Sequence, residues 1–152
     1  EASAFVTENL EVQGQARLSL TGKGGLLSGT AVAGKDKVFD LELKNSGTAD
    51  ASGIKLSSST PSNWNVTFNP SSVESLAAGD TTTVKATIRP SSEALTGDYS
   101  LTLSASSENS GNISEQYRIT VRPSSLWGIV SVIIIAAAAV LLVFAVKKFG
   151  RR

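Results

Sequence analysis

The sequence predicts an all-β sandwich followed by a single transmembrane α-helix, and three observations carry that expectation. Apolar residues between 16 and 122 recur with a period of two. No stretch in that range shows the 3.6-residue period of an amphipathic helix. The uncharged apolar run at 126–146 has no counterpart elsewhere in the 152 residues.

Residues 1–15 stand apart from the rest of the chain. Ala4 to Val12, then Gln-Gly-Gln, reads as a closing strand and a spacer, and a fresh domain starts near Arg17. This segment is expected to be the tail of a preceding domain or a linker. A secreted precursor matured at Glu1 is the other explanation.

The domain is expected to run from 16 to 122. Phe39, Leu41 and Leu43 in VFDLEL share one strand face, as do Val84, Ala86 and Ile88 in TTTVKATIRP. Tyr99, Leu101, Leu103 and Ala105 repeat the pattern, and Tyr117, Ile119 and Val121 form the last such run. Shorter candidates are Ala16–Leu20, Ile54–Leu56 and Trp64–Phe68. Clusters of Gly, Pro, Asn, Asp and Ser separate them: NSGTADASG, STPSN, NPSS, AAGD, RPSSEALTGD and SENSGN. About seven short strands so spaced predict an immunoglobulin-like antiparallel β-sandwich. Trp64 is expected to cover an end or side of its core. Tyr99 opens the penultimate strand, where such sandwiches carry a tyrosine whose hydroxyl bonds back to the chain.

Residues 123–125 leave only a short linker before LWGIVSVIIIAAAAVLLVFAV at 126–146, in which Ser131 is the one polar residue. A helix of that length spans roughly 31 Å, matching a hydrocarbon core of about 30 Å. Ala136–Ala139 place small side chains at mid-span, as a helix-packing face or as lipid-facing filler. The basic tail at 147–152 supplies Lys147, Lys148, Arg151 and Arg152, and Trp127 stands at the opposite end of the span. Positive residues stay on the cytoplasmic side and Trp favours the interface. The expectation is a single-pass anchor in a cell membrane, with an extracytoplasmic N-terminal domain and a cytoplasmic C-terminus.

Charge and composition narrow the function. Removing the four basic residues of the tail leaves 10 Lys and Arg against 13 acids, so the portion before the helix carries about −3. A mildly acidic domain gives nucleic acid no basic patch to bind. There is no Cys and no His. Thiolate chemistry, disulfides, imidazole metal ligands and the Ser-His-Asp triad are therefore absent. Glu42, Glu74, Asp80, Glu93, Asp98 and Glu115 fall at turns or on outward strand positions, whereas a glycosidase needs a close pair of acids with one buried. Asp36, Asp40 and Asp50 are candidates for calcium but lack a D-x-D-x-D loop. GKGG at Gly22–Gly25 lacks the rest of a phosphate-binding motif. The expectation is no enzyme and no cofactor. Asn65-Val66-Thr67 and Asn112-Ile113-Ser114 are N-glycosylation sequons, which only a host with that machinery would use.

Residues 33–121 resemble a known family. The features are AGK at Ala33–Lys35, KNSGTAD at Lys44–Asp50, Pro61 with Trp64, LAAGD at Leu76–Asp80 and GDY at Gly97–Tyr99. Together they are similar to the NPCBM-associated domain found in α-galactosidases and many bacterial surface proteins. The C-terminal LWGIV and VKKFGRR resemble a membrane-anchored branch in Gram-positive bacteria. The resemblance implies a cell-surface protein associated with ABC-type export systems, and it brings no catalytic residues. Structure alone accounts for several motif residues: Gly47, Gly79 and Gly97 as turn positions with positive φ, and Asn45 as an Asx-type turn. Two functions are expected from these readings. The first is a spacer and interaction module on the lipid bilayer, accessory to a membrane transporter complex. The second is a carbohydrate-binding module for cell-wall or extracellular glycan, with Trp64 as the contact for glycan or partner.

Overall fold

The computed structural model describes residues 13–124 and 126–150. Nine strands form among them: β1 (Leu18–Gly22), β2 (Ser28–Val32), β3 (Lys37–Asn45), β4 (Ala51–Ser59), β5 (Asn65–Asn69), β6 (Ser72–Leu76), β7 (Thr81–Arg89), β8 (Gly97–Ser107) and β9 (Gly111–Arg122). Helix α1 (Leu126–Phe149) comes last. The strands make two sheets, ordered β1-β3-β7-β5 and β2-β9-β8-β4-β6.

The alternation read from the sequence is the alternation the core uses. Leu41 and Leu43 of β3, Val84, Ala86 and Ile88 of β7, and Leu101, Leu103 and Ala105 of β8 are all buried. Tyr117, Ile119 and Val121 of β9 meet them from the same sheet as β8, and Leu18 and Leu20 of β1 close one side. Each fully buried Leu or Ile contributes about 1.5–3 kcal/mol relative to exposure. In β4 the period is broken: Ala51 and Ile54 are both buried although three residues apart. Gly53, at φ 60°, shifts the phase between them, a conformation that a side-chain-bearing residue adopts only with strain.

Two details differ from the expected seven antiparallel strands. β2 and β6 are additional, and β2 runs parallel to β9, with Ser28 to Val32 opposite Arg118 to Arg122. The cause is a change of sheet by a single edge run. The chain descends β1 beside β3, crosses at a short 3-10 turn (Lys23–Gly25), and continues in the same direction as β2 on the other sheet. The Gly22 N–H donates to the Leu26 carbonyl (2.8 Å) and the Arg118 N–H to the Leu27 carbonyl (2.9 Å). Beneath the crossing, the Tyr117 hydroxyl donates to the Ser28 carbonyl (3.1 Å). The Phe39 ring meets Tyr117 edge-on at 5.7 Å and lies where a Cβ on Gly29 would project.

The chain enters the sandwich at one end and leaves at the other. Leu18 lies opposite Asn45, whereas Arg122 ends β9 beside Val32, and the Ala33 N–H donates to the Arg122 carbonyl (3.2 Å). Helix α1 begins four residues after Arg122 and has no buried side chain among those described.

Burial raises the Tyr117 pKa above its ordinary value of 10. The fold therefore favours the neutral phenol: its contribution is complete below pH 10 and is lost as the pH climbs through the raised value. Tyr117→Phe is expected to cost about 1 kcal/mol at neutral pH, since a neutral hydrogen bond is lost. The variant should also lose stability less steeply than the native chain above pH 10, as measured by urea unfolding in mild detergent.

Candidate functional site

Among the described residues the buried polar side chain of the sandwich is Asn45, the last residue of β3, and a cluster of hydrogen bonds is built on it. Its Oδ1 accepts from the N–H groups of Arg17 (3.1 Å) and Gly47 (3.0 Å), the second being the expected Asx-type turn. Its Nδ2 donates to the carbonyls of Ala49 (2.8 Å) and Leu76 (3.0 Å). The Asn45 backbone N–H donates to the Asp80 carbonyl (2.9 Å), and its own carbonyl accepts from the Gly79 N–H (2.7 Å). One side chain thus makes every bond an amide needs when removed from water.

Two motifs far apart in sequence meet here. From KNSGTAD, the N–H groups of Ser46 and Thr48 bond the carbonyls of Arg17 and Gln15 (both 2.8 Å), and the Thr48 hydroxyl accepts from the Gln15 N–H (3.2 Å). Gln15, expected in the 1–15 segment, is therefore tied into the domain. From LAAGD, the Ala78 N–H bonds the Asp50 carboxylate (3.1 Å), and Gly79 turns at φ 84°. Gly47 is not needed for positive φ, contrary to expectation: a Cβ there would overlap the Gln15 carbonyl and the Arg17 N–H, so its role is close backbone approach. Gly97 has the expected positive φ (156°) but stands at the first position of β8 rather than in a turn. The whole junction binds chain to chain.

Trp64 is 9% exposed and packs on Tyr99 with centroids 5.1 Å apart. The Tyr99 hydroxyl donates to the Leu95 carbonyl (3.1 Å), the back-bond expected at this strand. A sugar platform needs an open ring face, and here that face is spent on Tyr99 and the core. The acids considered for chemistry are dispersed. Asp36 pairs bidentately with Arg89 (2.7 and 2.8 Å), Asp50 holds Ala78, and Asp40 lies in β3 opposite Lys85. Asp98 accepts from the Thr120 hydroxyl at 2.6 Å. No group of three His, Cys, Asp or Glu converges on a metal position among the described residues.

Of the expected anchor residues, Lys147 and Lys148 fall in the last turn of α1, so the helix continues beyond the expected boundary at 146. There the cations complement the C-terminal end of the helix dipole. Lys148 Nζ lies 5.9 Å from the centre of the Phe144 ring, one turn earlier. Trp127 is in the first turn, and its side chain, like Arg151 and Arg152, lies outside the described residues.

Residues 31–108 match the NPCBM-associated, NEW3 domain of alpha-galactosidase. The chain belongs to that family. The match runs from the last two residues of β2 through the whole of β8 and includes both the KNSGTAD and LAAGD motifs of the Asn45 junction. Membership makes the sandwich an accessory, non-catalytic domain. No curated protein matches the sequence. Among solved structures, the NEW3 chain is similar to the secreted serine protease VesC from Vibrio cholerae (15% identity, TM-score 0.51). That alignment covers 68% of this chain and 23% of VesC, so the chain spans under a quarter of that protein. A FixG-related protein from Vibrio parahaemolyticus aligns at 10% identity and TM-score 0.50, covering 70% of this chain and 96% of that one. The E. coli chaperone DraB aligns at 13% identity and TM-score 0.50, covering 73% and 57%. At such identities the likeness is one of fold.

Asn45→Ala is expected to cost about 3 kcal/mol or more, because its buried backbone partners lose their bonds. Asn45→Asp should be comparably damaging, since a carboxylate would face the Ala49 and Leu76 carbonyls. Both are read by urea unfolding followed by near-ultraviolet circular dichroism. Trp64→Ala is expected to cost about 3–5 kcal/mol by the same measurement, as for a core aromatic.

Proposed function

We propose that the chain is a membrane-anchored accessory module, with its NEW3 sandwich outside the cell and α1 crossing the membrane to a cytoplasmic C-terminus. The observation that carries this reading is α1. From Leu126 to Val146 it is uncharged, its described side chains are exposed on every face, and it is long enough for a hydrocarbon core. Lys147, Lys148, Arg151 and Arg152 come directly after it, whereas Arg122 alone precedes it closely, which supports an inward C-terminus.

In this reading the sandwich is a spacer and an interaction surface. The twelve residues of β9 make it about 40 Å long, and residues 13–17 join at the end away from the membrane. The partner this reading favours is a subunit of an ABC-type transporter, on the strength of the family resemblance and the closeness of the domain to the bilayer. Glycan binding ranks below it because Trp64 is buried.

The native chain is expected to remain in the membrane pellet through alkaline carbonate extraction. Replacing Ile134 and Ala138 by Lys should release it, since a cation at mid-membrane costs about 2.5–3.5 kcal/mol. Because the chain has no Cys, an Asn112→Cys variant can be labelled at one site. Labelling by a membrane-impermeant maleimide in intact cells supports the orientation; labelling only after lysis reverses it. Recovery of a permease subunit in mild detergent is the expected result for the transporter, and its absence would remove that partner.

A further inference from the structure

The end of the sandwich nearest α1 carries a cationic groove that the accessory role does not explain. Lys35 at the β2–β3 turn, Lys37 at the start of β3, and Arg122 at the end of β9 line one open concavity with Thr30, Val32 and Asp36. All three cations are exposed and make no ion pair among the described residues. Asp36 does not neutralise them, because both its oxygens are engaged by Arg89. The other acids at this end are Asp98, which accepts from Thr120, and Glu93, which lines a separate concavity with Gly34, Asn63 and Arg89.

An apolar side chain stands at the same end. Leu95 is 78% exposed, yet its loop is fixed on both sides. The Ala94 N–H donates to the Ser91 carbonyl (3.1 Å), Ala94 packs against the core, and Tyr99 holds the Leu95 carbonyl. An exposed leucine on a pinned loop is presented outward by the fold itself.

The linker decides what lies opposite. From Arg122 to Leu126 the chain advances four residues, at most about 14 Å when fully extended. The headgroup layer alone is roughly 5–8 Å thick on each side of the hydrocarbon core. If α1 spans the membrane, the groove and Leu95 are held at the headgroups, within about the distance over which physiological salt leaves charges unscreened. We infer that this end of the sandwich docks on anionic lipid headgroups, with Lys35, Lys37 and Arg122 against the phosphates and Leu95 at the interface. The inference rests on the membrane-spanning reading of α1.

The test uses the full chain with a single fluorophore at Thr96→Cys, beside Leu95, reconstituted in vesicles carrying nitroxide-headgroup quencher lipid. A second preparation carries the label at Asn112→Cys, at the opposite end. Each cation near an anionic surface is worth about fivefold in binding. Lys35→Gln, Lys37→Gln and Arg122→Gln combined should therefore lower the docked-to-free ratio on the order of a hundredfold. The expected result is stronger quenching at 96 in phosphatidylcholine with phosphatidylglycerol than in phosphatidylcholine alone. The difference should disappear in the triple variant and in molar salt, with the label at 112 unaffected throughout. Quenching at 96 that is indifferent to phosphatidylglycerol and to the triple variant overturns the inference. Flotation separates the two failures: a chain that floats with the vesicles but shows no such dependence loses only the docking, and one that does not float loses the anchor as well.

Discussion

The amide of Asn45 is the constraint on which the sandwich depends. The last residue of a central strand points a polar group into a dry interior, and such a group is tolerated only when every donor and acceptor is met. Meeting them requires three separate segments to arrive together: residues 15–17 before β1, the 46–50 turn after β3, and the 76–80 turn between β6 and β7. These segments include the ends of strands from both sheets. The bonds therefore set how the sheets face one another as well as where one turn lies. The motif residues around Asn45 take their roles from it: Gly47 lets the Gln15 backbone approach, Asp50 reaches Ala78, and Gly79 reverses the chain.

The opposite end is organised on different terms. There the Arg89–Asp36 pair joins β7 to the β2–β3 turn, the Gly34 N–H bonds the Pro90 carbonyl (3.1 Å), and the tilted rings of Trp64 and Tyr99 pack together near the loop that carries Leu95. One end is sealed by a buried amide; the other keeps its charge and a leucine on the surface. In this NEW3 domain, joined at once to an apolar helix, polar backbone bonding lies at the end away from β9's C-terminus and exposed cations at the end from which the helix departs.

How much of this was legible depends on where side chains record burial. The strands β3, β7, β8 and β9 were readable because each is covered by the facing sheet and so alternates strictly. β2 and β6 were not: Ala31 is the one buried side chain of SGTAV and Leu76 of SVESL, and both strands lie at sheet edges whose register comes from the neighbour's backbone. The parallel pairing was hidden for a related reason, since the crossing at 23–27 looks in sequence like an ordinary glycine turn. For the candidate site, KNSGTAD and LAAGD were visible as separate features, but nothing in either shows that they share one amide. The groove of Lys35, Lys37 and Arg122 joins residues more than eighty positions apart and had no local signature. The helix, by contrast, needed only composition.

The change of sheet between β1 and β2 also governs how the domain would carry tension. Because β2 and β9 run side by side in the same direction, a pull from the first strand against a pull from α1 slides the two past each other. The five residue pairs from Ser28–Arg118 to Val32–Arg122 are then strained together, not opened one after another from an end. Had the chain reached β9 through an antiparallel hairpin at its own terminus, the same pull would have peeled that edge open. A sandwich wired in this way would meet such a pull in shear, between points at opposite ends of its longest strands.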